Sequence, residues 1–130
     1  MKSRDNLLRL KHFQVQEKTR QLAQIDMMLA EFERMAGDLQ NQIEVEEKKA
    51  GITDVSHFAY PTFAKAARTR VENLENSIKD LKEKRSPAEE ALKEAEEELR
   101  KAELKEARGG SVETTDPVVE EQIERRMMIG

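Results

Sequence analysis

The side chains that could carry chemistry in this 130-residue chain are two histidines and a run of glutamates. His12 and His57 stand alone, whereas protein metal ligands come in clusters, so we interpret both as surface or loop histidines. The acidic residues within 94–98 would point in different directions around a helix. This pattern is typical of a solvated helix face and does not favour a cation site.

Catalytic and cofactor motifs are missing from the sequence. It contains no glycine loop that cradles phosphate and no nucleophile elbow. Because the chain has no cysteine, disulfides and thiolate metal sites are excluded. Nucleic-acid binding is disfavoured by a net charge of -4 and by only 4% aromatic residues. We therefore predict a protein with no enzymatic activity, no cofactor and no metal.

Apolar residues instead recur every seven positions along two arms of similar length, which predicts two long helices packed as a coiled coil. Hydrophobic residues make up 37% of the chain and charged residues 38%, a balance that disfavours a broad globular core. The a positions of the first arm are Leu8, Val15, Leu22, Leu29, Ala36, Ile43 and Ala50, and its d positions are Lys11, Lys18, Ile25, Phe32, Leu39 and Glu46. In the second arm the a positions are Ala64, Val71, Ile78, Arg85, Leu92, Leu99 and Glu106, and the d positions are Ala67, Leu74, Leu81, Ala88, Ala95 and Ala102.

Turn residues set the predicted boundaries. We expect a first helix over residues 3–50, ended by Gly51, a connection over 51–60, and a second helix over 61–108 that starts at Pro61. Because the heptad phase continues across Pro87, we predict a continuous helix that is kinked near this residue. Residues 109–130 should form a linker and a short tail helix that is marginal on its own.

Charge is distributed so that only one pairing of the arms is favourable. Residues 1–20 carry six basic and two acidic side chains, net +4, and residues 21–50 carry three basic and seven acidic, net -4. The second arm is reversed, with net +3 over 61–85 and net -3 over 86–108. An antiparallel hairpin sets opposite charges side by side, whereas a parallel dimer would juxtapose like charges. The predicted fold is therefore an all-α, two-helix antiparallel coiled-coil hairpin.

Some apolar residues fall outside the heptad seam and would face water. They gather at the end of the predicted hairpin that carries the termini, which indicates a docking patch for a partner. The alternative is that the tail covers this patch. The candidate partner-binding residues, apolar and basic, are Arg4, Leu7, Leu10, Lys11, Phe13, Lys18 and Leu104.

No stretch of the sequence has the continuous apolar length of a membrane span, and the first residues lack the features of a secretory signal. We expect a cytoplasmic protein.

The opening KSRDNLLRLKHFQVQEKTRQLAQID, the pair Glu17 and Lys18, and the connection AGITDVSHFAYPTFAKAA resemble the alphaproteobacterial branch of the flagellar FliJ family. The resemblance covers roughly residues 1–108. It implies an antiparallel coiled coil of the flagellar type III export apparatus that engages the ring of the export ATPase FliI. It also implies contacts with the cytoplasmic domain of the export gate protein FlhA and with export chaperones, and a peripheral place at the inner membrane through partners only.

By that analogy the chain would couple ATP hydrolysis in its partner to the handling of substrates or chaperones, as a monomer or weak dimer. Two other functions stay open. One is a self-associating structural coiled coil, and the other is a holdase-like chaperone, for which the six methionines would supply adaptable apolar contacts.

Overall fold

The computed structural model describes residues 2–110, with side-chain surroundings for 3–109. It contains two long α-helices, α1 (Lys2–Ala50) and α2 (Thr62–Gly110), and no strand within the described residues. The predicted all-α class is confirmed. These helices group into two compact units, which we call the terminal unit and the connection unit. The terminal unit combines α1 up to Leu22 with α2 from Pro87, and the connection unit is Ala23–Ser86.

None of the described helices is both long enough and apolar enough to span a lipid bilayer.

Local chemistry explains where α1 ends and α2 begins. Gly51 has a φ of 70°, the left-handed conformation that glycine adopts most cheaply, and its amide donates to the carbonyl of Glu47 at 2.8 Å. Pro61 precedes α2, and its carbonyl accepts the amide of Lys65 at 3.0 Å. The predicted second helix included Pro61 and ended at residue 108, whereas α2 starts one residue later and ends two residues later.

Pro87 lies inside α2, which remains helical on both sides of it. The expected phase continuity of the heptad is consistent with this unbroken helix, and the kink stays a prediction. The predicted tail helix and most of its linker lie outside the described residues.

A short chain of hydrogen bonds orders the connection between the helices. The Asp54 carboxylate accepts the backbone amide of Ser56 at 3.0 Å and its hydroxyl at 2.7 Å, and both bonds lower the pKa of Asp54. Nδ1 of His57 accepts the amide of Ala59 at 3.0 Å. His57 therefore shapes a turn, in agreement with its interpretation as a loop residue.

The connection unit contains a well-buried seam. Its two helices bury residues at successive a and d positions, and Ile43 and Ala64 are 2% and 0% exposed. In its central cluster, large aliphatic side chains of α1 are combined with alanine and valine of α2, small residues that allow helices to approach closely. The central cluster consists of Leu39, Ile43, Tyr60, Ala64, Ala67 and Val71.

Tyr60 joins the connection to this core. Tyr60 is 7% exposed, and its hydroxyl donates to Glu47 Oε2 at 2.8 Å. Arg68 completes the network, because Nη2 donates to the same carboxylate oxygen at 2.7 Å and Nε donates to the Tyr60 hydroxyl at 2.8 Å. The network ties the end of α1 and the start of α2 to the connection between them.

The network makes stability depend on pH. Hydrogen bonds from Arg68 and then from Tyr60 lower the pKa of Glu47 below its usual 4.5. A depressed pKa stabilises the fold while the carboxylate is ionised, and the stabilisation disappears as pH falls through the folded-state pKa. Wild type should therefore be more stable than Glu47→Gln at neutral pH, and this difference should narrow below pH 4.5. Urea unfolding at several pH values measures it, and a constant difference would contradict the assigned role.

The terminal unit contains a weaker seam. Among its described residues only Ala102 is buried, and the remaining a and d positions are half-buried. The cause is visible in the sequence, since the d positions of α1 here are Lys11 and Lys18 and those of α2 are alanines. Less apolar surface is therefore removed from water per heptad than in the connection unit.

Ion pairs between the helices show an antiparallel arrangement in each unit. In the terminal unit, Lys11 Nζ lies 3.9 Å from Glu98 Oε2, and Arg4, nearer the start of α1, lies over Gly109, nearer the end of α2. In the connection unit, residue numbers rise along α1 as those of the partners fall along α2: Asp26 with Arg85, Glu33 with Lys82, and Glu47 with Arg68. The basic start of α1 thus meets the acidic end of α2, and the reverse holds in the connection unit. The charge pattern predicted this arrangement correctly.

The heptad contains a polar exception at Arg85. This half-buried a residue donates from Nε to Asp26 Oδ1 at 2.6 Å and from Nη2 to Oδ2 at 3.2 Å. A paired fork of this kind satisfies both carboxylate oxygens, and the Arg85 hydrogen bond lowers the pKa of Asp26. The pair therefore fixes the register of the helices at a position where an aliphatic residue would be less selective.

Candidate functional site

The candidate site starts with three apolar side chains on α1 in the terminal unit. Leu7, Leu10 and Phe13 are 44%, 50% and 55% exposed. At about 100° per residue they share roughly a third of the helix circumference, outside the seam. We call these three residues the α1 patch. Apolar groups clustered on one exposed helix face are typical of a surface that binds another protein.

A shallow groove adjoins the α1 patch. It has a volume of about 270 Å³ and lies between the first turns of α1 and the last turns of α2. The guanidinium of Arg4 packs directly over Gly109, so that these ends of the two helices are in contact. The residues that line the groove are Arg4, Leu7, Leu8, Ala102, Lys105 and Glu106.

The three basic candidates occupy different environments. Arg4 is exposed at the rim of the groove, where a partner could reach it. Lys11 and Lys18 sit at d positions and are half-buried, and Lys11 is engaged by Glu98. Half-burial at d positions lets the methylene stems of lysines cover apolar surface, which suits a structural role as well as a binding one.

Leu104 departs from its expected environment. The heptad places it at an outward f position, where we predicted an exposed side chain next to Leu7, Leu10 and Phe13. It is half-buried instead and does not line the groove. The heptad pattern describes only the seam between two helices and carries no information about what covers their outer faces. Leu104 is therefore excluded from the exposed part of the candidate site.

Sequence reasoning also missed an exposed apolar surface in the connection unit. Phe58 is 96% exposed and stacks on His57 with ring centroids 4.8 Å apart. Phe63 and Val45 are 53% and 50% exposed, and they line a shallow groove of about 330 Å³ with Asn41, Gln42 and Glu46. The heptad register could have predicted this exposure, because Val45 falls at a c position and Phe63 at a g position, both outside the seam.

Methionine supplies further exposed apolar surface on α1. Met27 and Met28 are 72% and 46% exposed, at f and g positions of the connection unit. They lie outside the α1 patch, directly after Asp26, which pairs with Arg85. They provide a natural control for experiments on the patch.

Many titratable groups of the described residues are engaged in ion pairs along the helix surfaces. Arg34, for example, donates to Glu31 and lies 3.0 Å from Asp38, and the pKa of Glu31 is lowered first by the Arg34 hydrogen bond. Within residues 2–110, no group of three or more histidine or acidic side chains has the geometry to hold a metal ion. The arrangement offers apolar and basic contact surface along exposed helix faces.

Comparison of the chain with models of protein families, with curated proteins and with solved structures gave no match.

Proposed function

We propose that this chain is a non-enzymatic component of flagellar protein export, a member of the FliJ family that engages the export ATPase FliI. The observation that carries the proposal is the α1 patch, where Leu7, Leu10 and Phe13 are exposed on the basic start of α1. Three such side chains on one helix face need a partner to remove them from water. The resemblance of the opening and the connection to that family names the partner.

The proposed mechanism is mechanical coupling. A stiff pair of helices that binds one nucleotide state of the ATPase ring more tightly than another shifts the balance between these states. The shift equals the difference in the two binding free energies, and the reverse coupling is equally strong. The chain would supply contacts, and the partner would supply the hydrolytic chemistry.

The same proposal includes the gate and the chaperones. FlhA, through its cytoplasmic domain, and the export chaperones would bind the same chain, which would work in the cytoplasm and reach the inner membrane only through these partners. A monomer or weak dimer suits this role, because self-association through the α1 patch would compete with the ATPase.

ATP hydrolysis by the purified export ATPase is the direct test. Adding the chain should raise the hydrolysis rate and retain the ATPase in a pull-down. An unchanged rate, together with no retention of the ATPase or of the FlhA cytoplasmic domain, would overturn the proposal.

A holdase-like chaperone is the second candidate. It is favoured by the exposed aromatic and methionine side chains of the connection unit, Phe58, Phe63 and Met27. Unfolded clients expose scattered apolar segments, which adaptable apolar surfaces bind without a fixed geometry. Suppression of client aggregation by the chain in the absence of the ATPase would favour this candidate over the export role.

A further inference from the structure

The two helices of the connection unit present two edges that differ in chemistry. In an antiparallel pair, the e positions of both helices lie along one edge and the g positions along the other. The e edge holds the ion pairs of Glu33 with Lys82 and of Glu47 with Arg68. The g positions of α1 in this unit are uncharged from residue 28 to residue 42: Met28, Met35 and Gln42. One edge is therefore rich in ion pairs, and the other offers apolar surface.

The apolar surface includes neighbouring c positions, which lie only about 40° from g around a helix. Met28 is 46% exposed, Val45 50% and Phe63 53%. Val45 and Phe63 line one groove together with the g residue Gln42. We call this surface the g face and define it by the c and g residues of 28–45 on α1 and of 63–84 on α2. Its apolar side chains are Met28, Met35, Val45, Phe63 and Ala66.

The g face carries charge of opposite sign on its two helices. Its charged residues, all exposed, are Glu31 and Asp38 on α1 and Arg70, Asp80 and Lys84 on α2. Glu31 and Asp38 share the single cation Arg34. Arg70 and Lys84 take part in none of the ion pairs found over residues 3–109. The face is therefore acidic along α1 and basic along α2.

A surface that is acidic on one side, basic on the other and apolar between them is complementary to itself. Rotation by 180° about an axis parallel to the helices places α1 of one copy on α2 of a second copy. The acidic side of each copy then meets the basic side of its partner. A two-fold axis that runs across the helices would place α1 on α1, so that acidic groups would face each other.

The register of the helices identifies one pair of charges that would meet. The ion pair between Asp26 and Arg85 places Lys84 about one helical turn from the level of Glu31. The side chains of a lysine and a glutamate together span this distance. In the two-fold arrangement, Glu31 of each copy would therefore reach Lys84 of the other.

We propose that the g face of the connection unit binds the g face of a second copy of this chain, about a two-fold axis parallel to the helices. None of its residues belongs to the α1 patch, so the patch stays available to a different partner. The inference does not depend on the proposed export function, because both sides of the contact are this chain.

The area of the g face indicates a weak dimer. Residues 28–45 span about 26 Å along α1, and two helices side by side are about 20 Å wide. Contact would bury about 500 Å² on each copy and about 1,000 Å² in total, which is the lower end of the range for specific interfaces. We expect a dissociation constant on the order of 10–100 µM.

Sedimentation equilibrium of the full-length chain from about 1 to about 500 µM measures this association. Wild type should pass from monomer to dimer across the range. Val45→Ser combined with Phe63→Ser should raise the dissociation constant at least about tenfold, because it removes two apolar anchors from the contact. Val55→Ser combined with Phe58→Ser is the matched control, since it removes the same residue types from the exposed connection and should leave the constant within about twofold.

A chain that stays monomeric over the whole range would overturn the proposal and leave the g face to a different partner. Equal dissociation constants for wild type and the variant of Val45 and Phe63 would also overturn it. Loss of the dimer in the control would do the same, because it would place the contact at the connection. Far-UV circular dichroism verifies that each variant retains its helices.

Charge reversal tests the two-fold arrangement separately. Glu31→Lys alone and Lys84→Glu alone should each raise the dissociation constant at least about threefold, because like charges would then face each other twice in the dimer. An equimolar mixture of the two variants should recover an affinity close to that of wild type, since each substituted residue meets an opposite charge on the other chain. A mixture that associates as weakly as the separate variants would overturn the proposal.

Discussion

Ile43→Ala should lower the free energy of unfolding by about 2–5 kcal/mol, the range for truncation of a fully buried aliphatic side chain. Ile43 is 2% exposed and belongs to the cluster of Tyr60, Ala64 and Ala67 that joins α1, the connection and α2. The side chains of Ala64 and Ala67 are single methyl groups that cannot move into the space, so the cavity would remain. The loss combines the transfer of the removed methyl and methylene groups with the cavity term.

Val45→Ala is the matched control for this prediction. Val45 lies two residues from Ile43 on the same helix and is 50% exposed, so its truncation should change the free energy of unfolding by less than about 0.5 kcal/mol. Urea unfolding followed by far-UV circular dichroism measures both variants. Equal losses for the two variants would mean that the seam has been assigned to the wrong helix face.

Much of the fold follows from the sequence because a heptad seam is a local pattern. The a and d positions predicted the buried residues Leu29, Ile43, Ala64 and Val71, and charge complementarity predicted the antiparallel pairing. Gly51 ends α1 in the left-handed conformation that its position predicted. Each of these features depends on residues that are neighbours in the chain or across one seam.

Features that depend on non-periodic contacts were not predicted. Tyr60 stands in the connection, outside the heptad, yet it is buried and hydrogen bonded to Glu47 and Arg68. Leu104 falls at an outward position, yet it is half-buried. The Tyr60 environment is produced by surfaces that come together only when the chain is folded, and a seven-residue period contains no information about them.

The candidate site was predictable only in part. Leu7, Leu10 and Phe13 were identified because they break the seam pattern, and they are exposed. The exposed Phe58 was missed because an aromatic residue in a connection has no heptad position from which its exposure could be inferred.

The second large effect concerns binding. If the proposed export role holds, Leu10→Ser combined with Phe13→Ser should weaken binding of the export ATPase by roughly tenfold to a thousandfold, because each exposed apolar anchor of an interface contributes about 1–2 kcal/mol or more. Since Leu10 and Phe13 are 50% and 55% exposed, the helices should form as in wild type. Loss of helicity in this variant would mean that these residues belong to the core.

Met27→Ser combined with Met28→Ser provides the matched control. These side chains are also exposed and apolar and lie on the same helix, but outside the α1 patch. The control removes a comparable amount of apolar surface, so it distinguishes a specific docking site from non-specific hydrophobic binding. Its affinity for the ATPase should stay close to that of wild type.

Titration of the purified export ATPase with the labelled chain tests the central claim most directly. Wild type and the methionine variant should bind with similar affinity, and the variant of Leu10 and Phe13 should bind at least about tenfold more weakly, a difference of about 1.4 kcal/mol. Equal affinities for all three chains, or no binding by wild type, would contradict the assignment of the α1 patch as the surface that engages the ATPase.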